Sequence, residues 1–285
     1  MPGRLVISIA ATALLFAGCE SRILKRMDIC PGKGSASEAL ATLRSHSQNA
    51  APLKANGQCR MEYYVQGKKK PQSESLSVKL WIDPPLNIYL QADKAVIPKA
   101  VVLGSNKDEF WLAIRPKEIS RYYWGKWSDQ DASEGPMLNP RTLLEALGIW
   151  EVDTQQDWSL SNEGAFDILS KREHGVITKK IYVYSCDYRV RRIEFFDSEG
   201  RPVAGAELDK YEEVSDGFFV PGVIEVTSQG QKTEDSFSIT INLQSIKPAE
   251  ITEQRRAALF RRQNNPRGFK HVRQIIGGKW IEEPQ

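Results

Sequence analysis

The sequence predicts a mainly β protein, an incomplete (open) antiparallel β-barrel of about eleven strands with helices covering its concave face. Apolar and polar residues alternate with period two along many segments, and turn residues separate several of these segments directly. Only two short segments in the body have helical periodicity. Strands that follow one another this closely favour antiparallel pairing over parallel βαβ units.

The clearest alternation lies in residues 53–65, LKANGQCRMEYYV. Leu53, Cys59 and Met61 point to one face, and the residues between them point to the other. This segment is about twice the usual strand length of roughly 5–6 residues. Since Gly57 lies inside it, we predict a bent strand in a strongly curved sheet.

Further strands are predicted wherever the alternation returns. They lie in SLSVKLWID, LNIYLQA, AVVLGSNKDEFWLAIRP (a hairpin), SRYYWGKW, GAFDILSKR, KKIYVYSC, YRVRRIEFF, PVAGAELDKY, FFVPGVIEVTS and DSFSITINLQSI. Asp83-Pro84-Pro85 predicts a turn. One helix is predicted over 38–47 with Ser37 as its N-cap. A second is predicted over 140–148, with Asn139 as N-cap and Gly148 as C-cap.

The N-terminus has the layout of a secretory signal. Arg4 is followed by a largely apolar run to Phe16, and the small residues Ala17 and Gly18 precede Cys19. Cys19 resembles the cysteine of a bacterial lipobox, although Phe16 stands where Leu is usual. The resemblance implies cleavage after residue 18 and acylation of Cys19, for example with palmitate. An ordinary signal peptide with an incidental cysteine is the alternative.

These features predict a cell-envelope protein that is lipid-anchored and faces the periplasm, and Glu20 favours the outer membrane by analogy with lipoprotein sorting. No later stretch is apolar for long enough to span a membrane. The formal net charge of +3 is too small to indicate nucleic acid as a partner.

Three cysteines remain beyond Cys19, namely Cys30, Cys59 and Cys186. In an oxidising compartment this count predicts one disulfide and one free thiol, with the pairing open. Their spacing fits no zinc pattern, so neither a metal nor a cofactor is expected.

Charge and composition divide the chain into a signal (1–18), a tether (19–36), the β body (37–246) and a basic C-terminal helix and tail (247–285). The last segment holds nine Lys or Arg against four Glu. Either it contacts anionic headgroups, or its helix is solvated and packs through Leu259.

The order of these elements resembles the LolA/LolB-like lipoprotein-carrier superfamily. A short helix precedes the long LKANGQCRMEYYV strand, SLSVKLWIDPPLNIYLQA follows, and LDKYEEVSDGFFVPGVIEV lies downstream. The resemblance covers roughly residues 36–246 and implies a half-barrel whose mouth is closed by helices. It implies a cargo of lipid or acylated protein, and LolB-type members are themselves acylated. No counterpart of the family's handover residues is identifiable, so no individual residue is carried over.

The inward apolar residues are the candidate lining of a ligand cavity, because a buried acyl chain needs apolar surroundings. The alternative is that they pack against one another and leave no cavity. The candidates are Leu53, Met61, Leu76, Val78, Leu80, Ile88, Leu90, Leu112, Ile114, Ile193, Phe195, Val226, Ile239 and Ile241.

Two further groups have open interpretations. Apolar residues around Pro98, including Val96, form either a rim at the mouth or an ordinary edge strand. Trp81, Trp111, Trp124 and Trp127 either rest at a lipid interface or pack on the outer face.

Catalysis is not expected. His46, His174 and His271 stand near no recognisable nucleophile, and no complete catalytic or phosphate-binding motif occurs. The sequence therefore predicts reversible binding of a lipid or of lipoprotein acyl chains, for transport or sorting. The alternatives are a structural or assembly lipoprotein that binds envelope proteins through a filled barrel, and an enzyme with a dispersed site.

Overall fold

A computed structural model describes residues 27–64, 70–116, 120–129, 143–145, 147–149, 157–228, 236–264, 266–277 and 279–283. The predicted signal, Cys19, and residues 140–142 and 146 of the predicted 140–148 helix, together with its cap Asn139, lie outside the described residues. Among those described, no helix has both the length and the apolar character needed to cross a membrane.

Within these described ranges fifteen strands form one sheet, more than the number predicted. They are β1 (Leu53–Tyr63), β2 (Gln72–Asp83), β3 (Asn87–Lys94), β4 (Ile97–Ser105), β5 (Glu109–Ile114), β6 (Arg121–Lys126), β7 (Asp157–Glu163), β8 (Phe166–Glu173), β9 (Val176–Tyr184), β10 (Arg189–Phe196), β11 (Pro202–Ser215), β12 (Phe218–Ser228), β13 (Phe237–Pro248), β14 (His271–Ile276) and β15 (Lys279–Glu282).

The strand order is β15-β14-β6-β5-β4-β3-β2-β1-β13-β12-β11-β10-β9-β8-β7. Every neighbouring pair is antiparallel except β14 and β6, which run parallel. The sheet is open, because the order starts at β15 and ends at β7. The strands missing from the prediction are β7, whose side chains are mostly exposed, and β14 and β15, which lie in the segment predicted as helix and tail.

The predicted alternation is confirmed by the register. Directly paired residues Leu112, Leu103, Leu90, Leu80 and Ala55 form one apolar row across five strands. This row belongs to the main buried cluster, and we call the face that carries it the inner face. A β-bulge lies between Asn56 and Gly57 of β1, in agreement with the predicted bend.

The inner face is covered in part by helical segments. Helix α1 (Ala36–Gln48) packs Ala39, Leu40 and Leu43 against β8 and β9, at one end of the sheet. Residues 143–145 are helical, and Leu143, Leu144, Leu147 and Ile149 join the main cluster. The prediction of helices covering the concave face is therefore matched only in part.

The ends of these helical segments test the predicted caps. The N-cap of α1 is Ser35, whose hydroxyl accepts a hydrogen bond from the Glu38 backbone N–H at 3.2 Å, so the prediction of Ser37 was wrong. Gly148 has φ of +70° and ends its segment as predicted. Its N–H donates to Glu145 O, and the Ile149 N–H donates to Leu144 O.

The opposite, outer face has its own apolar cluster. Paired residues Val102, Ala113, Tyr122 and Val272 form a row across β4, β5, β6 and β14, and Phe269 packs on Tyr122 with 5.3 Å between ring centroids. The C-terminal segment thus covers the outer face of these strands.

Helix α2 (Glu253–Leu259) lies in the same C-terminal segment and has no buried residue. It is held to the sheet by Arg256, whose Nε donates to Asp83 Oδ2 at 2.6 Å. Leu259 is half-buried and Phe260, which follows it, is buried.

Candidate ligand cavity

The predicted lining residues all belong to the main inner cluster. Ile114, Phe195 and Val226 are half-buried against it, and the others are buried. The prediction that they share one apolar face agrees with this placement. Within the described part of the chain, however, Ile193 is the one member of the set that lines the cavity described next, and the rest pack within the core.

A cavity of about 290 Å³ lies between α1, Glu145 and Gly148, strands β9 and β10, and the start of β12. Its apolar lining includes Leu43 from α1, Ile181, Val190 and Ile193 from β9 and β10, and Phe218 and Phe219 from β12. This volume is close to the lower limit of small-molecule pockets, roughly 300–1,000 Å³. The cavity therefore has room for a small apolar group beneath α1.

One wall of the cavity contains an ion pair. Lys179 Nζ of β9 contacts Glu145 Oε2, and the two side chains are only 11% and 9% exposed. The pair joins the helical residues 143–145 to the sheet. Because each charge neutralises the other, this wall adds no net charge to the cavity.

Two arginines share one carboxylate at another wall. Asp187 Oδ2 accepts from Arg191 Nη2 at 2.5 Å and lies 3.5 Å from Arg189 Nη1. The Arg189 guanidinium lies 3.7 Å from the centroid of the Phe219 ring, a cation–π arrangement. The three charged groups together carry one surplus positive charge.

The remaining titratable groups of this wall are neutral near pH 7. Burial lowers the pKa of His46, the nearby Arg189 lowers it further, and Asp187 opposes both effects. Burial is also the main cause that raises the pKa of Tyr211, whose hydroxyl donates to the Val190 carbonyl at 2.5 Å. The cavity thus combines an apolar lining with the charged side chains of Asp187 and Arg189, and Arg191, which binds Asp187, does not line it.

Two solved structures resemble this fold over most of their length. A LolA superfamily protein from Nitrosomonas europaea matches with a TM-score of 0.50 and 10% identity, over 81% of this chain and 99% of that one. A domain described as an outer membrane lipoprotein-sorting protein from Vibrio parahaemolyticus matches with a TM-score of 0.51 and 12% identity, over 78% of this chain and 97% of that one. The chain has a LolA/LolB-like fold. No protein-family model and no curated protein matches the sequence.

In this LolA/LolB-like sheet a disulfide ties the N-terminal segment to the cavity wall. Cys30 is bonded to Cys186, which immediately precedes Asp187. The Lys33 N–H donates to Asp167 Oδ2 at 2.8 Å, so the segment before α1 also contacts the start of β8. The predicted count of one bridge and one free thiol is confirmed. Cys59 is the free thiol among the described cysteines, and burial raises its pKa to about 11.

The tryptophans of the LolA/LolB-like sheet are used in packing and hydrogen bonding. Trp111 is buried, Trp124 Nε1 donates to Glu283 Oε1 at 2.6 Å, and Trp127 Nε1 donates to the Asn106 carbonyl at 2.7 Å. Trp81 is half-buried with the Arg255 guanidinium above its ring. Packing on the sheet is therefore the better interpretation of these residues. Val96, in contrast, is 82% exposed in the turn between β3 and β4.

The charged residues of the cavity were missed by the sequence analysis. Arg189 and Arg191 do occupy alternate positions of the predicted strand YRVRRIEFF, which is the signal that was available. A β-bulge between Val190 and Arg192 interrupts that alternation, so Arg189 and Val190 both line the cavity. Among the described residues no group of His, Cys, Asp and Glu is arranged to hold a metal ion.

Proposed function

We propose that this protein is a membrane-anchored, periplasm-facing lipoprotein that binds a lipid, or the acyl chain of an acylated protein, reversibly beneath α1. The observation that supports it most directly is the cavity of about 290 Å³ between α1 and the inner face of a LolA/LolB-like sheet. The proposal contains no covalent step. Anchoring through an acylated Cys19 and a location at the outer membrane are parts of it.

The energy of transfer explains why a carrier needs such a cavity. When an acyl chain of about fifteen methylenes moves from apolar surroundings into water, its free energy rises by about 12 kcal/mol, at roughly 0.8 kcal/mol per methylene. Apolar side chains such as Leu43, Ile181 and Phe218 replace part of the membrane interior for the bound segment. Since α1 contributes Leu43 to this lining, movement of α1 away from the sheet would lengthen the cavity and release the chain.

The second candidate function is a structural or assembly role through contacts with envelope proteins. It is favoured by one specific observation, the packing of nearly all the predicted lining residues within the core. A protein of this kind would hold no lipid and would act through its surface.

Native mass spectrometry separates the two candidates. The full chain with Cys19→Ser, which removes the acylated thiol, would be produced in a bacterial host with an envelope. We expect co-purified lipid, and we expect the purified protein to bind the neutral fluorescent probe N-phenyl-1-naphthylamine. Protein that is repeatedly empty and does not bind the probe would contradict the carrier proposal.

Two valine variants localise the binding. Val190 lines the cavity, whereas Val226 is a half-buried valine of the same inner cluster that does not line it. Val190→Trp would fill much of the cavity, and we expect it to weaken probe binding at least about tenfold, while Val226→Trp keeps the wild-type affinity. Equal affinity of both variants and the wild type would place the binding site elsewhere.

A further inference from the structure

We propose that the cavity selects an amphiphile with a single acyl chain and an anionic head group, and that Arg189 binds the head group. This inference rests on the proposed function and identifies the class of ligand. It follows from the charge, the geometry and the size of the cavity.

The group formed by Asp187, Arg189 and Arg191 carries one surplus positive charge, and of its two arginines Arg189 is the one that lines the cavity. Lys179 and Glu145 neutralise each other, whereas Arg189 and Arg191 share the single carboxylate of Asp187. A buried or half-buried surplus charge is unfavourable until an opposite charge accompanies it. A ligand that carries one negative charge therefore complements this wall, and a neutral ligand does not.

Arg189 is the arginine that remains available. Arg191 binds Asp187 at 2.5 Å, whereas the Arg189 contact with the same oxygen is 3.5 Å long. Within the described part of the chain, the Arg189 guanidinium makes no other ion pair and donates no hydrogen bond. Its stacking on Phe219 fixes the plane of the guanidinium and leaves the N–H groups at its edge available for a carboxylate or phosphate.

The size of the cavity limits the ligand to one chain. A methylene group occupies roughly the volume of a water molecule, about 30 Å³, so 290 Å³ accommodates about ten carbons. The two or three chains of a diacyl lipid or a lipoprotein N-terminus require several times this volume. A fatty acid and a lysophospholipid share the chemistry that fits, one chain with a carboxylate or phosphate at its end.

The test compares two ligands with the same number of carbons, one with a charged and one with a neutral head group. Dodecanoate and dodecanol would displace N-phenyl-1-naphthylamine from the full chain with Cys19→Ser at pH 8, where the acid is ionised. We expect dodecanoate to bind at least about tenfold more tightly than dodecanol. In Arg189→Gln the preference disappears because the affinity for dodecanoate falls to that for dodecanol, and Arg189→Lys retains part of the preference.

Arg192→Gln is the matched control. Arg192 lies on the same strand, is half exposed and does not line the cavity, so its variant keeps the wild-type preference. Lysophosphatidylglycerol with a dodecanoyl chain distinguishes a fatty acid from a lysophospholipid as the natural ligand. If it binds more tightly than dodecanoate, the phosphate is the preferred head group.

Each contrary result has a distinct meaning. Equal binding of dodecanoate and dodecanol to the wild type overturns this inference and leaves the proposed function standing. Binding of neither ligand overturns both. A preference that persists in Arg189→Gln overturns the role of Arg189.

Discussion

Lys179 of β9 and Glu145 of the helical residues 143–145 form an ion pair that is almost completely buried. The pair connects two parts of the chain that are 34 residues apart. Two opposite charges in such surroundings stabilise each other, but either one alone is strongly destabilising because it stays desolvated without its partner.

We therefore expect Lys179→Met to lower the free energy of unfolding by about 3–5 kcal/mol. The double variant Lys179→Met, Glu145→Leu should recover most of this loss, because it removes both charges. Urea unfolding followed by fluorescence measures the difference. The exposed pair of Arg201 and Asp197 is the control, and Arg201→Met should hardly move the midpoint. A double variant no more stable than Lys179→Met would contradict the argument.

The disulfide between Cys30 and Cys186 closes a loop with a sequence separation of 156 residues. Because the bridge restricts the unfolded chain, the double variant Cys30→Ser, Cys186→Ser should lose about 2–5 kcal/mol of stability. Dithiothreitol should lower the urea midpoint of the wild type and leave that of the variant unchanged. Cys59→Ser, which removes the buried free thiol, should remain as sensitive to dithiothreitol as the wild type. If dithiothreitol does not change the urea midpoint of the wild type, the result would argue against the disulfide.

The lowered pKa of His46 in the folded protein predicts that stability depends on pH. Burial and Arg189 lower its pKa in the folded protein, so the unfolded chain binds a proton more readily. Stability should therefore fall as the pH drops from the ordinary histidine pKa of about 6.5 toward the lower folded value. His46→Gln should reduce this slope, which urea midpoints measured between pH 5 and 8 would show. Identical profiles for His46→Gln and the wild type would refute the prediction.

Gly57 marks a close approach between two strands. A Cβ atom at this position would lie 2.1 Å from the Asn242 carbonyl oxygen of β13, which is backbone and cannot easily move. Gly57→Ala should therefore destabilise the protein by about 1–3 kcal/mol in urea unfolding. Gly205 is a strand glycine with more space, since its Cβ would lie 3.3 Å from the Ile193 carbonyl oxygen, and Gly205→Ala should cost less. If Gly205→Ala destabilises the protein more than Gly57→Ala, the backbone at the Gly57 bulge can shift to accommodate a Cβ atom.

The sequence predicted the strands that bury one face. Period-two alternation is a local property, so LKANGQCRMEYYV already shows which side chains of β1 point inward. β7 buries little and so carries a weak pattern. β14 pairs in parallel with β6, about 150 residues earlier in the chain, and no local signal encodes such a partner.

The N-cap of α1 shows a signal that could have been used. Ser35 stands three residues before Glu38, the spacing of a capping box, whereas Ser37 stands three residues before Leu40. In the structure the Glu38 N–H indeed donates to Ser35 Oγ, and the Glu38 carboxylate accepts from the Gly34 N–H at 3.1 Å.

The cavity could not be predicted in the same way. His46, Glu145, Lys179 and Arg189 belong to four separate segments of the chain, and only the folded sheet brings them together. Inward-facing apolar residues do not reveal where packing is incomplete, because a filled core and a lined cavity have the same hydrophobic pattern.

The parallel pairing of β14 with β6 has a consequence for truncated chains. Strands β1 to β13 precede β14 in the sequence, so a chain that ends before residue 271 exposes the free edge of β6 beside the aromatic surface of Tyr122 and Trp111. Unpaired edges next to apolar surface are templates for aggregation. Nonsense mutations shortly before codon 271 should thus yield protein that aggregates, even though they leave the cavity residues in place.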